Sequence, residues 1–315
     1  MKASGVATLV AACSLFALPP LADADTYYLT VAGLGGEADY EQRFRGLASD
    51  LDRILKAADT TNHVVTLSGD NATRAHLAES LQSIADQAKA DDDFVLMLIG
   101  HGSYDGRQYK FNLVGPDISA TALAQLCDRI DARHQLIVNT TSSSGASIVA
   151  MAHEGRAVIA ATKSGTEKNA TVFARYWVDA LRDATADVDK NDSISALEAF
   201  RYATAKTAAF YESQKRLATE HAIFADSGSA TSVRTASLAS GAGKSLSSFV
   251  LIRLGSSGLA ANDPAKRALL TRKEQLESQI DTLKYQRAAM SPEEYRRQLT
   301  EALVALAKVQ EDLDK

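Results

Sequence analysis

Several short runs in this chain carry an apolar residue at nearly every position, and amphipathic segments separate them. Phe94-Val-Leu-Met-Leu-Ile99, Leu136-Ile-Val138 and Ala157-Val-Ile-Ala-Ala161 are too short for buried helices and show no polar alternation. A strand that is apolar on both faces must be covered on both faces, the condition of a parallel sheet between two helical layers. The intervening segments supply the layers. Residues 39–58 present Phe44, Leu47, Leu51, Ile54 and Leu55 on one side of a helix, and a second helix, capped by Asn71 or Thr73, bears Leu77, Leu81 and Ile84. Further strands are expected at 28–32, 63–67 and 157–162, a hairpin around 108–114, and a late strand at 249–254 that closes the sheet. The fold class is therefore α/β, with a mostly parallel sheet in a three-layer sandwich.

Two of these strands end in reactive-type residues. One runs into Gly100-His101-Gly102 and the other into Thr141-Ser142-Ser143-Ser144-Gly145, with Ser142 placed 41 positions after His101. Open α/β sheets build sites at such C-terminal strand ends. The arrangement resembles the caspase/legumain superfamily of cysteine peptidases, in which one strand ends in His-Gly and a later one in Ala-Cys-x-Ser-Gly. The resemblance covers roughly residues 27–254 and implies a caspase-like sandwich with a peptide or protein segment in the cleft. It makes His101 the general acid/base and puts Ser142 at the nucleophile position. It also gives the N–H groups of Gly102 and Ser142 as oxyanion donors, Ser144 and Gly145 as the turn, and Thr162 and Ser164 as a wall of the specificity pocket.

The departure is the serine itself. An alkanol is roughly five pKa units harder to ionise than a thiol, on the order of 7 kcal/mol. Serine hydrolases offset this with a histidine oriented by a buried acid. The expectation is a peptidase homologue degenerate as a cysteine peptidase; an active His101–Ser142 hydrolase and a non-enzymatic interaction scaffold stay open. An acid behind His101 separates them, and Asp105 is the nearest in sequence. The histidines at 63, 76, 134, 153 and 221 read as structural or surface residues. Glu220 and His221 are helix neighbours that do not face the same way.

A second constellation runs from Asp187 to Glu198. Side-chain oxygens fall at loop positions 1, 3, 5 and 9 (Asp187, Asp189, Asn191, Ser195), the Ser193 carbonyl at 7, and Glu198 at 12. This resembles an EF-hand and implies one structural Ca2+, with Asp192 standing where the motif has glycine. The rival reading is an acidic surface loop in which Ser195 and Glu198 form a capping box.

The ends differ in character. Lys2, an apolar stretch over 6–18 and Ala22-Asp-Ala24 make residues 1–24 an expected secretory leader; Val10-Ala-Ala-Cys13 is a rival lipoprotein site. Export, periplasmic or secreted, follows from either. Cys127 is then the remaining cysteine, on the buried face of a helix, so no intramolecular disulfide forms. Residues 25–255 form the main domain, within which the Ser/Gly/Ala/Thr-rich segment 226–248 is expected to be mobile. Leu269, Leu276, Ile280 and Leu283, then Tyr295, Leu299, Leu303 and Leu306, mark a helical hairpin or coiled coil over 264–315. Its stripes could pack back on the domain or self-associate with another copy. The net charge of -5 gives no reason to expect nucleic acid, and outside the leader no segment reaches transmembrane length.

Overall fold

The computed structural model describes residues 24–315. The leader expected at 1–24, with Cys13, lies outside the described residues apart from Ala24. The chain opens with β1 (Thr26–Ala32), α1 (Ala38–Ala58), β2 (His63–Leu67), α2 (Arg74–Gln87) and β3 (Asp93–Ile99). Three short strands follow, β4 (Gly102–Tyr104), β5 (Tyr109–Phe111) and β6 (Ile118–Ser119), then α3 (Ala120–Cys127), β7 (His134–Asn139), α4 (Ile148–Met151) and β8 (Arg156–Ala160). The second half contains α5 (Phe173–Ala180), β9 (Ser193–Ser195), α6 (Ala196–Ser213), β10 (Ile223–Ala225), α7 (Lys244–Ser247) and β11 (Val250–Arg253). It ends in α8 (Gly255–Ala261), α9 (Pro264–Gln286) and α10 (Pro292–Leu313).

The central sheet has six strands in the order β10-β8-β7-β3-β1-β2, parallel throughout except for β10, which runs antiparallel to β8. Alternate residues of one strand go to opposite cores, which is why its sequence is apolar at every position. Val95, Met97 and Val138 join Phe44, Leu51, Trp177 and Phe200 on the α1/α5/α6 face. Phe94, Leu96, Leu98 and Ile137 join Leu77, Leu81, Leu123 and Cys127 on the α2/α3 face. This is the three-layer, caspase-like α/β sandwich expected above. Thr73, one of the two expected caps, accepts the His76 N–H at the start of α2.

Two expectations change. The late strand does not close the sheet: β11 pairs antiparallel with β9 in a separate two-stranded ladder, and the sheet's edges are β2 and the three-residue β10. Segment 226–248 makes local polar contacts and contacts with β10. The Asp226 carboxylate accepts the N–H groups of Gly243 (2.5 Å) and Ser245 (3.1 Å), Phe224 and Val233 exchange backbone bonds, and Leu246 is buried. The hairpin expected around 108–114 is enlarged to a three-stranded meander, with β5 as the middle strand between β4 and β6.

At the C-terminus, α9 and α10 form an antiparallel pair, with the Lys266 ammonium on the Leu313 carbonyl at 2.6 Å. Leu276, Ile280 and Leu283 of α9 are buried, together with Leu270 rather than the expected Leu269. On α10 Ala302 is the buried residue, while Leu303 and Val304 remain 47% and 51% exposed. Among the described residues no helix is long and apolar enough to cross a membrane.

Candidate functional site

Strands β3 and β7 are parallel neighbours, paired from Asp93–His134 to Leu98–Asn139, so the chains leaving them emerge together at one edge of the sheet. That register brings Gly102 against Ser142. The Ser142 Oγ accepts the Gly102 N–H (3.1 Å) and donates to the Gly102 carbonyl (2.9 Å), and the residue is 2% exposed. A Cβ at position 102 would lie 2.5 Å from the Ser142 carbonyl oxygen and 2.6 Å from the Tyr109 ring, so glycine is what allows this approach. The hydroxyl is thus engaged by its neighbour's backbone, and the Gly102 N–H expected to face an oxyanion is already occupied by it.

His101 points elsewhere. Its ring meets Tyr40 and Phe44 of α1 edge-on, with centroids at 4.7 and 5.1 Å. Burial holds the imidazole pKa below its ordinary value, opposed by a hydrogen bond to the Gly35 backbone; Arg43 lowers it further and Glu37 raises it. Among the described residues no carboxylate hydrogen-bonds this ring. Asp105 is taken up in the β4–β5 turn, accepting the N–H groups of Arg107 and Gln108 at 2.8 Å each. A cavity of ≈ 280 Å³ is lined by Phe44, Gly100, Thr140, Tyr176 and Phe210, with Arg43 at its wall; His101 does not line it.

The serine turn is clipped from the next strand's exit. Ser143 adopts φ 57°, donates its N–H to the Glu167 carbonyl (2.8 Å), and buries a hydroxyl with no hydrogen-bond partner among the described residues. Ser144 Oγ accepts the Thr162 N–H, and Thr162 Oγ1 accepts the Gly145 N–H at 2.9 Å. Gly145 sits so close that a Cβ there would be 2.4 Å from the Ser164 nitrogen. Thr162 is fully enclosed, while Ser164 is partly exposed.

The sequence reading missed an acid–histidine pair at this edge. His221 Nδ1 lies 2.5 Å from Glu167 Oε1, and the same carboxylate accepts the Lys163 and His221 N–H groups. Glu167 touches the serine turn through its backbone and His221 through its side chain, so the hydrogen-bonded path from the serine turn to the imidazole runs through the acid. A proton relay needs the imidazole in the middle. Glu220 faces away, accepting the Val172 and Phe173 N–H groups and the Tyr211 hydroxyl. Cys127 is buried, and burial pushes its thiol pKa up to about 12.

The 187–198 loop contains two non-glycine residues of positive φ. Lys190 and Asp192 both take left-handed conformations, φ 61° and 64°, the latter at the position where the motif has glycine. The Asp187 carboxylate accepts the Asn191 and Asp192 N–H groups at 3.2 Å each, and Asn191 Oδ1 accepts that of Ser193 at 2.9 Å. Ser195 and Glu198 form a complete capping box at the start of α6, and Glu198 Oε1 also accepts the Val188 N–H. Carboxylate oxygens of Asp187, Asp189 and Glu198 lie within 4.8 Å of one another. This donor set is all hard oxygen, with lone pairs left over after those hydrogen bonds, and it fits Ca2+. Burial, then Glu198, raises the Asp189 pKa.

No family model matches the chain, and no curated protein matches it significantly. Solved structures similar to it include protein GSU0716 from Geobacter sulfurreducens, at 12% identity and TM-score 0.44 over 66% of this chain and 94% of that one. The Drosophila initiator caspase Dronc matches at 10% identity and TM-score 0.40, over 65% and 80% respectively. Chaetomium thermophilum Raptor matches at 10% identity and TM-score 0.37, over 53% of this chain and 19% of that one.

Proposed function

We propose that this chain is an exported caspase/legumain-like peptidase homologue that has lost cysteine peptidase chemistry and retains its sheet edge for holding a peptide segment. The observation that carries the reading is the disposition of Ser142. Its hydroxyl is bonded to both backbone groups of Gly102, while His101 rests against two aromatic rings and among the described residues no carboxylate hydrogen-bonds it. An alkanol needs roughly 7 kcal/mol more than a thiol to ionise, and a lone histidine of lowered basicity does little to offset that. Ser144, Gly145, Thr162 and Ser164 keep the turn in place without supplying chemistry.

Asp187, Asp189, Asn191, the Ser193 carbonyl, Ser195 and Glu198 would hold one calcium ion, which would supply a structural crosslink between the entry to α6 and the loop before it. A scaffold reading draws on Leu303 and Val304, adjacent and exposed on α10; concentration-dependent self-association lost in a Leu303→Glu variant would favour it.

The test is a Ser142→Cys and Ser142→Ala pair assayed on a broad peptide library. Wild type and the alanine variant are expected to be equally silent; gain of cleavage by the cysteine variant would show a site that lacks only the thiol. Wild-type cleavage abolished by alanine would overturn the reading.

A further inference from the structure

We propose that the leader is released by cutting the Ala24–Asp25 bond and that the buried Asp92 carboxylate binds the α-ammonium so freed, which fastens the first strand of the mature chain. This rests on the reading of the chain as exported.

Asp92 lies in the turn between α2 and β3 and is 2% exposed. Its Oδ1 accepts the Asp25 N–H and its Oδ2 the Lys89 N–H, at 2.9 Å each, while its carbonyl accepts the Arg133 N–H at 2.7 Å. The basic side chains nearby are engaged elsewhere. Arg133 and His134 pair with Asp93 at 3.2 and 3.1 Å, and His63 lies 3.4 Å from the side chain of Asp25. Among the described residues Asp92 forms no ion pair, and a carboxylate enclosed without a cation is costly. Residue 25 is itself fixed: its carbonyl accepts the Asp93 N–H (3.0 Å), just before the first rung of β1 against β3, where Thr26 meets Asp93.

Two independent observations meet at one nitrogen. Alanines at 22 and 24 are the small residues that a leader peptidase reads, which puts the cut on the N-terminal side of Asp25. The nitrogen of Asp25 is also the one that touches the uncompensated carboxylate. When the leader peptidase hydrolyses that bond, the water oxygen stays on Ala24 as part of its carboxylate. Both water protons go to the Asp25 nitrogen, which becomes an ammonium. A charged donor then stands where a neutral N–H stood, and such a hydrogen bond is roughly twice as strong. A cut one residue to either side would move the ammonium about 3.8 Å along the chain, out of reach of Asp92.

The experiment starts from the full chain produced with its leader. The intact mass of the exported product is expected to be that of a chain beginning at Asp25. Urea unfolding is then compared between this product and a chain that keeps Ala24, each with and without Asp92→Asn. The product should have an unfolding constant about five- to tenfold smaller than the longer chain, and the difference should vanish in the Asp92→Asn pair. Should the asparagine variants fail to fold, acylation of the α-amine at neutral pH decides. In the native product it should run about tenfold slower than in the urea-unfolded one, because a hydrogen-bonded ammonium does not react. If the product begins at Asp25 but gains nothing over the longer chain, or its α-amine is acylated equally fast in both states, the Asp92 site is overturned and export stands. An exported product that begins at any other residue, Cys13 included, has the same meaning. If the chain is not exported and keeps residues 1–24, the export reading and the site fall together.

Discussion

His101 is held by two aromatic edges, and that has a consequence for acid stability. Burial keeps its folded-state pKa below the ordinary imidazole value, so as pH falls the unfolded chain takes up the proton first. The contribution of His101 to stability is therefore intact above the ordinary value of ~6.5 and is lost progressively below it. A His101→Gln variant should lose less stability than wild type when urea midpoints are compared at ~pH 7.5 and ~pH 5.5, either side of that value. An identical drop in both proteins would place the pH sensitivity elsewhere. Ser142 and Gly102 form a matched pair at the same scale. The serine hydroxyl satisfies both polar groups of a residue that can bear no side chain, which makes the contact a structural fastening first.

Among elements, α5 is the one most dependent on a distant residue. Its first two N–H groups, from Val172 and Phe173, end on the Glu220 carboxylate at 2.7 and 3.1 Å, 48 and 47 residues away. An acid at a helix N-terminus is favoured by the dipole as well as by the hydrogen bonds. Glu220→Ala should cost about 2–3 kcal/mol, because buried donors and the Tyr211 hydroxyl are left without a partner; denaturant midpoints check it. Such contacts also mark what could be read beforehand. The two-faced apolar strands and the α1 stripe were legible because their determinants lie within one segment. Strand β10 was not, since Ile223-Phe-Ala225 is too short to carry a period. The Glu167–His221 pair spans 54 residues and leaves no local trace. The turn residues at 141–145 were legible as a location, but whether the hydroxyl pointed at His101 or at Gly102 depended on the register of β3 against β7.

At the scale of the whole molecule, Arg253 ties the parts together. Its guanidinium, at the end of β11, pairs with Asp59 at the end of α1 (3.0 Å) and with Glu274 of α9 (2.6 Å). Arg253→Met should destabilise the protein by about 3 kcal/mol at neutral pH, as two largely buried carboxylates lose their partner. It should also loosen α9 in hydrogen exchange; a neutral effect on both would mean that the apolar contacts of Leu276 and Ile280 suffice. The pairing of β9 with β11 has a consequence in time rather than in space. Val250 meets Ser195 across a gap of 55 residues, so a growing chain that has reached residue 249 carries the loop's twelve residues but not the strand that borders them. The loop can take its final shape only late in synthesis, after everything between those strands has been made.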